Sequence, residues 1–387
     1  MKTNSGIQQM KYHTVILFCA LILIALVVGA GYTRSPAHLG AASHFQDAKL
    51  PPYTPPVVYH HNHVMMLGKA VSPSRALPTY LKYKEALLVP PRTQGKCASC
   101  WAFAVADMLA DRVSLLTRGR IREHLSPQEM LSCFLPRWFA CAKGGIPELA
   151  ARYPMIRGLL TEKAYPYENE MRTDIKPCKT GSKLGLMEMV SGLDPDRHEK
   201  HPERIFVQSG SIKSLCDEPL SQETIDENVV NIKIELLTNG PVIGTLHVYD
   251  DLYDYDGESI YVVGKDATLM GGHAITIIGW SDAGSNTEEK GFQGAYWICR
   301  NSWLYWPKDL PQKHAGWFYI KMGRNEAGIE SRASCASIML TKAMRDMGKD
   351  SEWLSTAYTS YDQYYNDPER LNFFEHLSER RKTREND

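Results

Sequence analysis

Apolar and polar positions along the chain predict helices first and strands afterwards. Apolar residues recur at helical spacing in 101–116 and 126–132. Later runs rich in β-branched and aromatic residues predict strands at 241–250, 273–280, 295–303 and 316–323. This order of elements favours an α+β fold with two lobes.

The most apolar stretch of the chain lies near its beginning. Residues 14–31, TVILFCALILIALVVGAG, carry no charge and approach the roughly 20 residues that a membrane-spanning helix needs. Lys2 and Lys11 precede this stretch, so the positive-inside rule places residues 1–13 in the cytosol. A cleaved signal peptide is the alternative, with a small-residue cleavage site at 28–30. Because the stretch is longer than an ordinary signal sequence, we expect a transmembrane signal anchor.

Composition divides the rest of the chain into three parts. Residues 32–75 contain many prolines and histidines and little apolar periodicity, which is typical of a linker or a short pro-segment. Residues 76–342 have the pattern of a globular domain. Residues 343–387 form a charged, tyrosine-rich tail that we expect to be a partly helical or disordered appendage.

The overall composition gives no indication of a partner that binds this chain through net charge. Of the 387 residues, 43% are hydrophobic and 23% are charged, and the formal net charge is zero, so we expect no nucleic-acid partner. Nine cysteines are an odd number, and a secretory route would favour disulfides among them. His60, His61 and His63 are expected to be solvated linker histidines. We predict no metal site and no cofactor.

The segment 94–104, QGKCASCWAFA, contains the first candidate for chemistry. Cys100 could be half of a disulfide, a metal ligand, a redox partner of Cys97 or a nucleophile. The helix predicted from Trp101 onward places Cys100 at a helix N-terminus. The unpaired amides and the positive end of the helix dipole favour a thiolate there.

A nucleophilic thiolate needs a base, and His273 in MGGHAITIIGW is the best candidate. Two glycines precede His273 and allow a close backbone approach. Asn301 in RNSW could orient the imidazole, and Trp303 could shield their hydrogen bond from water. The side-chain amide of Gln94, with the backbone N–H of Cys100, could hold a developing oxyanion.

These segments resemble the active-site blocks of papain-family cysteine proteases. QGKCASCWAF, GGHAITIIGW and RNSW carry the resemblance, and LSPQEMLSC, CAKGG, YPYE, NGPV and NEAGIES extend it in the family's order. The resemblance covers roughly Leu77–Leu340. MGGHAI and GIES are similar to the cathepsin B branch of the family.

The resemblance implies a role for each candidate and a papain-like two-lobe fold. Cys100 would be the nucleophile and His273 its ion-pair partner and proton donor. Asn301 would orient the imidazole, and Gln94 would complete the oxyanion hole. The fold would have a helical left lobe, a β-rich right lobe and an active-site cleft between them. Protein or peptide substrates are implied, and inhibitors of the cystatin type could bind.

The resemblance also implies substrate contacts and disulfides. The substrate-binding residues would be Gly144, Gly145, Gly272, Trp303 and Arg332, with the first two bonding an extended peptide through their backbone. Cys97 would pair with Cys141. Cys133 would pair with Cys178 or, in the cathepsin B pattern, with Cys216.

Two departures from the cathepsin B pattern bear on specificity. The stretch KPCKTGSK, 176–183, lacks the adjacent histidine pair of the occluding loop, which predicts an endopeptidase without carboxydipeptidase activity. Arg332 stands where cathepsin B has a glutamate at the floor of the S2 pocket. A cation there should attract acidic P2 residues and repel arginine.

Other functions compete with this interpretation. A catalytically silent homologue could act as a binding module on a membrane, and Cys97 with Cys100 could form a thiol–disulfide oxidoreductase. Peptide ligation would use the same acyl-enzyme. If the anchor is present, the catalytic domain lies on the lumenal or extracellular side, in a lysosome-like, secretory or viral-particle compartment.

Overall fold

The computed structural model describes the globular part of the chain. The described residues are 64–66, 69–71, 77, 80–134, 140–180, 196–257, 259–282, 294–304, 306, 315–347 and 358–359. None of the helices among them is both long and apolar enough to span a membrane. The predicted anchor at 14–31, the linker histidines and most of the tail lie outside these residues, so the anchor stays a prediction.

Among the described residues, most of the helices lie before residue 240. The helices are α1 (Cys100–Leu116), α2 (Pro127–Cys133), α3 (Pro147–Ala150), α4 (Arg152–Arg157), α5 (Arg197–Lys200), α6 (Gln222–Asn239) and α7 (Lys342–Met347). The predicted helices at 101–116 and 126–132 are confirmed as α1 and α2. Ser126 caps α2 by accepting a hydrogen bond from the Glu129 N–H, and Pro127 occupies the first helical position.

Helix α6 is long and was not predicted. Its buried apolar residues Ile225, Val229, Ile232 and Leu236 follow a helical period, and the Ser221 side chain caps its start. Charged and polar residues between these positions weaken the apolar signal in the sequence. The helix interrupts the simple order of helices first and strands later.

Strands dominate the second half. They are β1 (Val64–Met66), β2 (Lys69–Val71), β3 (Tyr80–Tyr83), β4 (Lys213–Ser214), β5 (Val242–Tyr249), β6 (Ile260–Tyr261), β7 (Leu269–Ser281), β8 (Tyr296–Arg300), β9 (Trp317–Lys321), β10 (Ala333–Cys335) and β11 (Tyr358–Thr359). All four predicted strands are confirmed, as β5, β7, β8 and β9.

The main sheet brings distant segments side by side. Its strand order is β4-β10-β5-β7-β8-β9-β6, and β3 pairs with both β7 and β11. The β6–β9 pair is parallel and its other pairs are antiparallel. Thr276 on β7 lies opposite Arg300 on β8. His273, three residues before Thr276, and Asn301, just after Arg300, therefore emerge at the same end of two neighbouring strands.

The helical lobe, α1–α4, is built around α1 and held by disulfides. Residues 101–115 of α1 are buried, and α1 packs against β7 of the sheet. Disulfides join Cys97 to Cys141 and Cys133 to Cys178. These are pairs that the family resemblance implies. The alternative partner Cys216 keeps a free thiol.

Buried charges join α1 to the end of β8. Arg300 forms a two-point contact with Asp111, at 2.7 Å and 3.1 Å, and both side chains are fully buried. Its guanidinium also donates to the carbonyl of Val89 at 2.6 Å. Asp107, one turn closer to Cys100, lies 3.8 Å from the Arg300 Nε and pairs with Arg92. The network fixes α1 relative to the segment that carries Asn301.

A buried carboxyl, Glu330, organises the turn that leads to Arg332. It accepts hydrogen bonds from the Trp297 indole N–H and from the backbone N–H groups of Gly323 and Asn325. Burial raises its pKa to about 7, although these three donors oppose that shift. The folded protein therefore favours the protonated carboxyl at acidic pH.

The Glu330 carboxyl predicts a loss of stability towards neutral pH. Its folded pKa lies above the ordinary glutamate value of 4.5, so its contribution is complete below pH 4.5 and is lost as pH rises through about 7. We expect the free energy of unfolding to fall by about 3 kcal/mol over that range, at about 1.4 kcal/mol per pKa unit.

Urea unfolding of the wild type and of Glu330→Gln at pH 4.5 and pH 8 measures this loss. The variant should be less stable at pH 4.5 but should lose much less stability on going to pH 8. Glu203→Gln, which changes an exposed glutamate, is the matched control and should keep the wild-type dependence. An unchanged pH dependence in Glu330→Gln would contradict the assignment.

Candidate active site

Cys100 is the first residue of α1 and one of the free thiols. The preceding Ser99 does not cap the helix with its side chain, so the first amides of α1 face the thiol without a side-chain competitor. Burial raises the pKa of Cys100, while hydrogen bonds from the N–H groups of Ala274, Trp101 and Cys100 itself lower it. The contact with Ala274 brings the sulfur beside the residue that follows His273.

Asn301 fixes the His273 imidazole through a hydrogen bond at Nε2. The His273 Nε2 lies 2.7 Å from the Asn301 Oδ1, and this oxygen also accepts the Ser302 N–H at 2.8 Å. Because Oδ1 can only accept, the hydrogen-bonded Nε2 carries a proton, and Nδ1 is the nitrogen left to exchange a proton with Cys100. Burial lowers the pKa of His273 to about 4, and the bond to Asn301 partly opposes this shift.

Trp303 covers the His273–Asn301 hydrogen bond as the sequence suggested. Its ring stacks on the imidazole at 4.5 Å and 26°. Tyr253 also stacks on the Trp303 indole at 5.6 Å, and Trp306 packs against it edge-to-face at 5.5 Å. This aromatic cluster keeps water from competing for the bond that fixes the imidazole.

The hydrogen bond between the Cys100 sulfur and the Ala274 N–H brings the thiol next to the His273 segment. Burial favours the neutral form of each group taken alone. Moving the proton from Cys100 to His273 creates two opposite charges together, and each stabilises the other in the low dielectric. The amides at the start of α1 stabilise the sulfur charge further. The arrangement supports a nucleophile that is activated by its own base.

Gln94 is fixed in place and is 8% exposed. Its Nε2 donates to the Cys97 carbonyl at 2.9 Å, and its Oε1 accepts from the Ser302 hydroxyl at 2.7 Å. The Tyr167 hydroxyl donates to its backbone carbonyl at 2.7 Å. One Nε2 hydrogen stays available, which is the donor that an oxyanion hole requires.

Two of the predicted substrate-binding glycines, Gly144 and Gly145, occupy positions that disfavour a side chain. Gly144 has a φ of +76°, and a Cβ at Gly145 would lie 2.7 Å from the Trp101 ring. Both residues are partly exposed. Gly272 is exposed on β7 opposite His247 of β5. Backbone groups at these positions are therefore accessible to an extended peptide.

Arg332 is exposed and directly precedes β10. Its backbone carbonyl accepts from the Thr245 N–H at 2.9 Å, which places it beside β5. Burial and the nearby Arg332 charge lower the pKa of His247 on the same strand. The guanidinium thus adds positive charge near His247, the residue that pairs with Gly272.

The sequence analysis missed two residues that hold the others. Ser302 contacts both Gln94 and Asn301, and Tyr167 links Ser99 to Gln94 through hydrogen bonds of 2.9 Å and 2.7 Å. Both lie inside segments quoted for the resemblance, RNSW and YPYE, but their residue types alone indicate no role. Their contacts exist only in the folded chain.

The disulfide between Cys97 and Cys141 removes one alternative function. Cys97 is bonded within the helical lobe, so it cannot exchange a disulfide with Cys100 as a redox pair. Among the residues that the structure describes, no group of histidine, cysteine and carboxylate side chains could hold a metal ion. Cys299 on β8 is a fully buried free thiol.

Comparisons with known proteins agree with these segments. A family model described as "Papain family cysteine protease" matches residues 77–337. Cathepsin B-like cysteine proteinases 6 and 5 of Caenorhabditis elegans are 32% and 33% identical over 250 and 258 residues. Each match covers 62% of this chain, and the chain spans 60% and 67% of those relatives.

A solved structure shows the same fold. Procathepsin B S9 from Trypanosoma congolense superposes with a TM-score of 0.50 at 22% sequence identity, over 69% of this chain and 80% of that chain. The matched family region also agrees with the predicted Leu77–Leu340 range. The chain belongs to the papain family of cysteine proteases.

Proposed function

We propose that this protein is a cysteine endopeptidase that cleaves peptide bonds through an acyl-enzyme. The observation that carries the proposal is the meeting of Cys100, at the start of α1, with the His273–Asn301 pair at the end of the sheet. Similarity to cathepsin B-like proteinases supports the same reaction class.

Each step of the proposed reaction uses a group of the candidate site. The Cys100 thiol passes its proton to the Nδ1 of His273, and the sulfur attacks the scissile carbonyl carbon. The oxygen of the tetrahedral intermediate accepts from the Gln94 Nε2–H and the Cys100 N–H. The imidazolium then gives its proton to the leaving amine, and the carbon–nitrogen bond breaks.

Hydrolysis of the acyl-enzyme repeats these steps with water. His273 takes a proton from the water molecule as the water oxygen attacks the thioester carbon. The second tetrahedral intermediate collapses, the carbon–sulfur bond breaks and the sulfur regains the proton. Asn301 keeps the same imidazole nitrogen facing Cys100 in both half-reactions.

The endopeptidase assignment rests on the absence of a paired histidine clamp in what the structure describes of 176–201. Residues 176–180 contain no histidine, and His198 and His201 are separated on and after α5. Each histidine lies beside a neighbouring carboxylate. His198 is 3.5 Å from Glu199, and His201 is 3.4 Å from Glu203. Neither is paired with the other to receive a substrate carboxylate.

Cleavage by the full chain tests the proposed reaction. The wild type should hydrolyse a peptide anilide, and Cys100→Ala should reduce kcat/KM by at least about 10⁴-fold because the nucleophile is lost. Cys216→Ala removes another partly exposed free thiol and is the matched control, so it should cleave normally. Equal cleavage by the wild type and Cys100→Ala would reject the mechanism.

The pH profile of the same reaction adds a second readout. Below the His273 pKa of about 4 the pair gains a second proton, so the imidazole can no longer accept the thiol proton. We expect kcat/KM to fall below about pH 4 and to stay high at pH 5. A folded wild type that cleaves no peptide at any pH would favour the membrane-bound binding module.

Arg332 predicts a preference for acidic residues at P2. With peptides that differ only at P2, glutamate should exceed arginine in kcat/KM by about three- to tenfold, a range set by one partly solvated charge pair. Arg332→Glu should reverse the order. Arg172→Gln, which changes an exposed arginine paired with Asp174, is the control and should leave it unchanged. Arginine preferred by the wild type would exclude Arg332 from the pocket.

A further inference from the structure

Ser302 contacts both parts of the candidate site, Gln94 on one side and the His273–Asn301 pair on the other. Its hydroxyl donates to the Oε1 of Gln94 at 2.7 Å, and its carbonyl accepts the Gln94 N–H at 2.8 Å. Ser302 and Gln94 are 4% and 8% exposed. The side-chain bond is therefore formed away from bulk water, where a missing partner is costly.

The Gln94 amide is held at both ends. At the nitrogen end, the Cys97 carbonyl accepts from Nε2 at 2.9 Å. At the oxygen end, the Ser302 hydroxyl donates to Oε1. A carbonyl can only accept, so a flipped amide would set two acceptors against each other at Cys97. The two contacts together leave one Nε2 hydrogen with a fixed direction.

The backbone N–H of Ser302 contacts the His273–Asn301 pair. This N–H donates to the Asn301 Oδ1 at 2.8 Å, and the same oxygen lies 2.7 Å from the His273 Nε2. The hydroxyl and the backbone N–H thus act on different groups. Removing the hydroxyl alone leaves the imidazole contacts in place, which makes the two roles separable by substitution.

We propose that the Ser302 hydroxyl is a positioning group that fixes the orientation of the Gln94 amide in the oxyanion hole. The proposal rests on the proposed peptidase function. Without the hydroxyl, Gln94 keeps one side-chain bond and its amide can rotate away from the developing oxyanion. The hydroxyl acts on the transition state, because the oxyanion forms only there.

The test compares Ser302→Ala with the wild type and repeats the change in a Gln94→Ala background. Ser302→Ala should lower kcat for a peptide anilide by about three- to tenfold, the equivalent of one buried hydrogen bond, with KM nearly unchanged. In the Gln94→Ala background, the same change should have no further effect, because its target is already gone.

Alkylation of Cys100 by iodoacetamide distinguishes a role in the oxyanion hole from a general structural effect on the site. This reaction needs the thiolate but forms no oxyanion, so Ser302→Ala should keep the wild-type alkylation rate. Ser334→Ala is the matched control, since the hydroxyl of this buried serine has no hydrogen-bond partner. It should leave both rates unchanged.

A second pair of variants guards against misfolding of Ser302→Ala. Ser302→Thr and Ser302→Val have nearly equal volumes and differ in the hydroxyl, so the threonine variant should exceed the valine variant in kcat. Equal kcat values in these two, an equal loss in the Gln94→Ala background, or a matching loss of alkylation would each overturn the proposal. A wild type that does not cleave would overturn the peptidase function as well.

Discussion

The arrangement of the site depends on the buried ion pair between Arg300 and Asp111. Asp111 lies on α1, the helix that begins with Cys100, and Arg300 directly precedes Asn301. The pair therefore couples the helix that begins with Cys100 to the strand end that carries Asn301. Two buried charges gain little over apolar residues, but removing one would leave the other uncompensated at a cost of about 3–5 kcal/mol. The contact thus constrains geometry more than it adds stability.

Burial acts in two directions at the site. It disfavours a charge on either Cys100 or His273 alone, and it strengthens the attraction once both are charged. The amides of α1, the Asn301 carbonyl and the stacked Trp303 then decide where the proton lies and which nitrogen carries it. In the proposed mechanism, reactivity comes from the pair and its fixed surroundings, since neither group has a favourable pKa by itself.

The sequence predicted the elements that carry strong local signals. Helix α1 and strands β5, β7, β8 and β9 follow from apolar periodicity, and the family resemblance singled out Cys100, His273, Asn301 and Gln94 as candidate site residues. It did not reveal α6, whose apolar positions are diluted by charged residues. Nor could it indicate Ser302 or Arg300, because their roles are contacts with residues about 190–210 positions away along the chain.

Competitive alkylation of the wild type at pH 5, with each thiol identified by mass spectrometry, is the most direct test of the central claim. An ordinary thiol is less than about 0.1% ionised at that pH. Because His273 can take its proton, Cys100 should be labelled first and nearly alone. Cys216, whose pKa burial raises to about 12, should stay unlabelled. Labelling of Cys216 before Cys100, or equally slow labelling of both, would contradict the account.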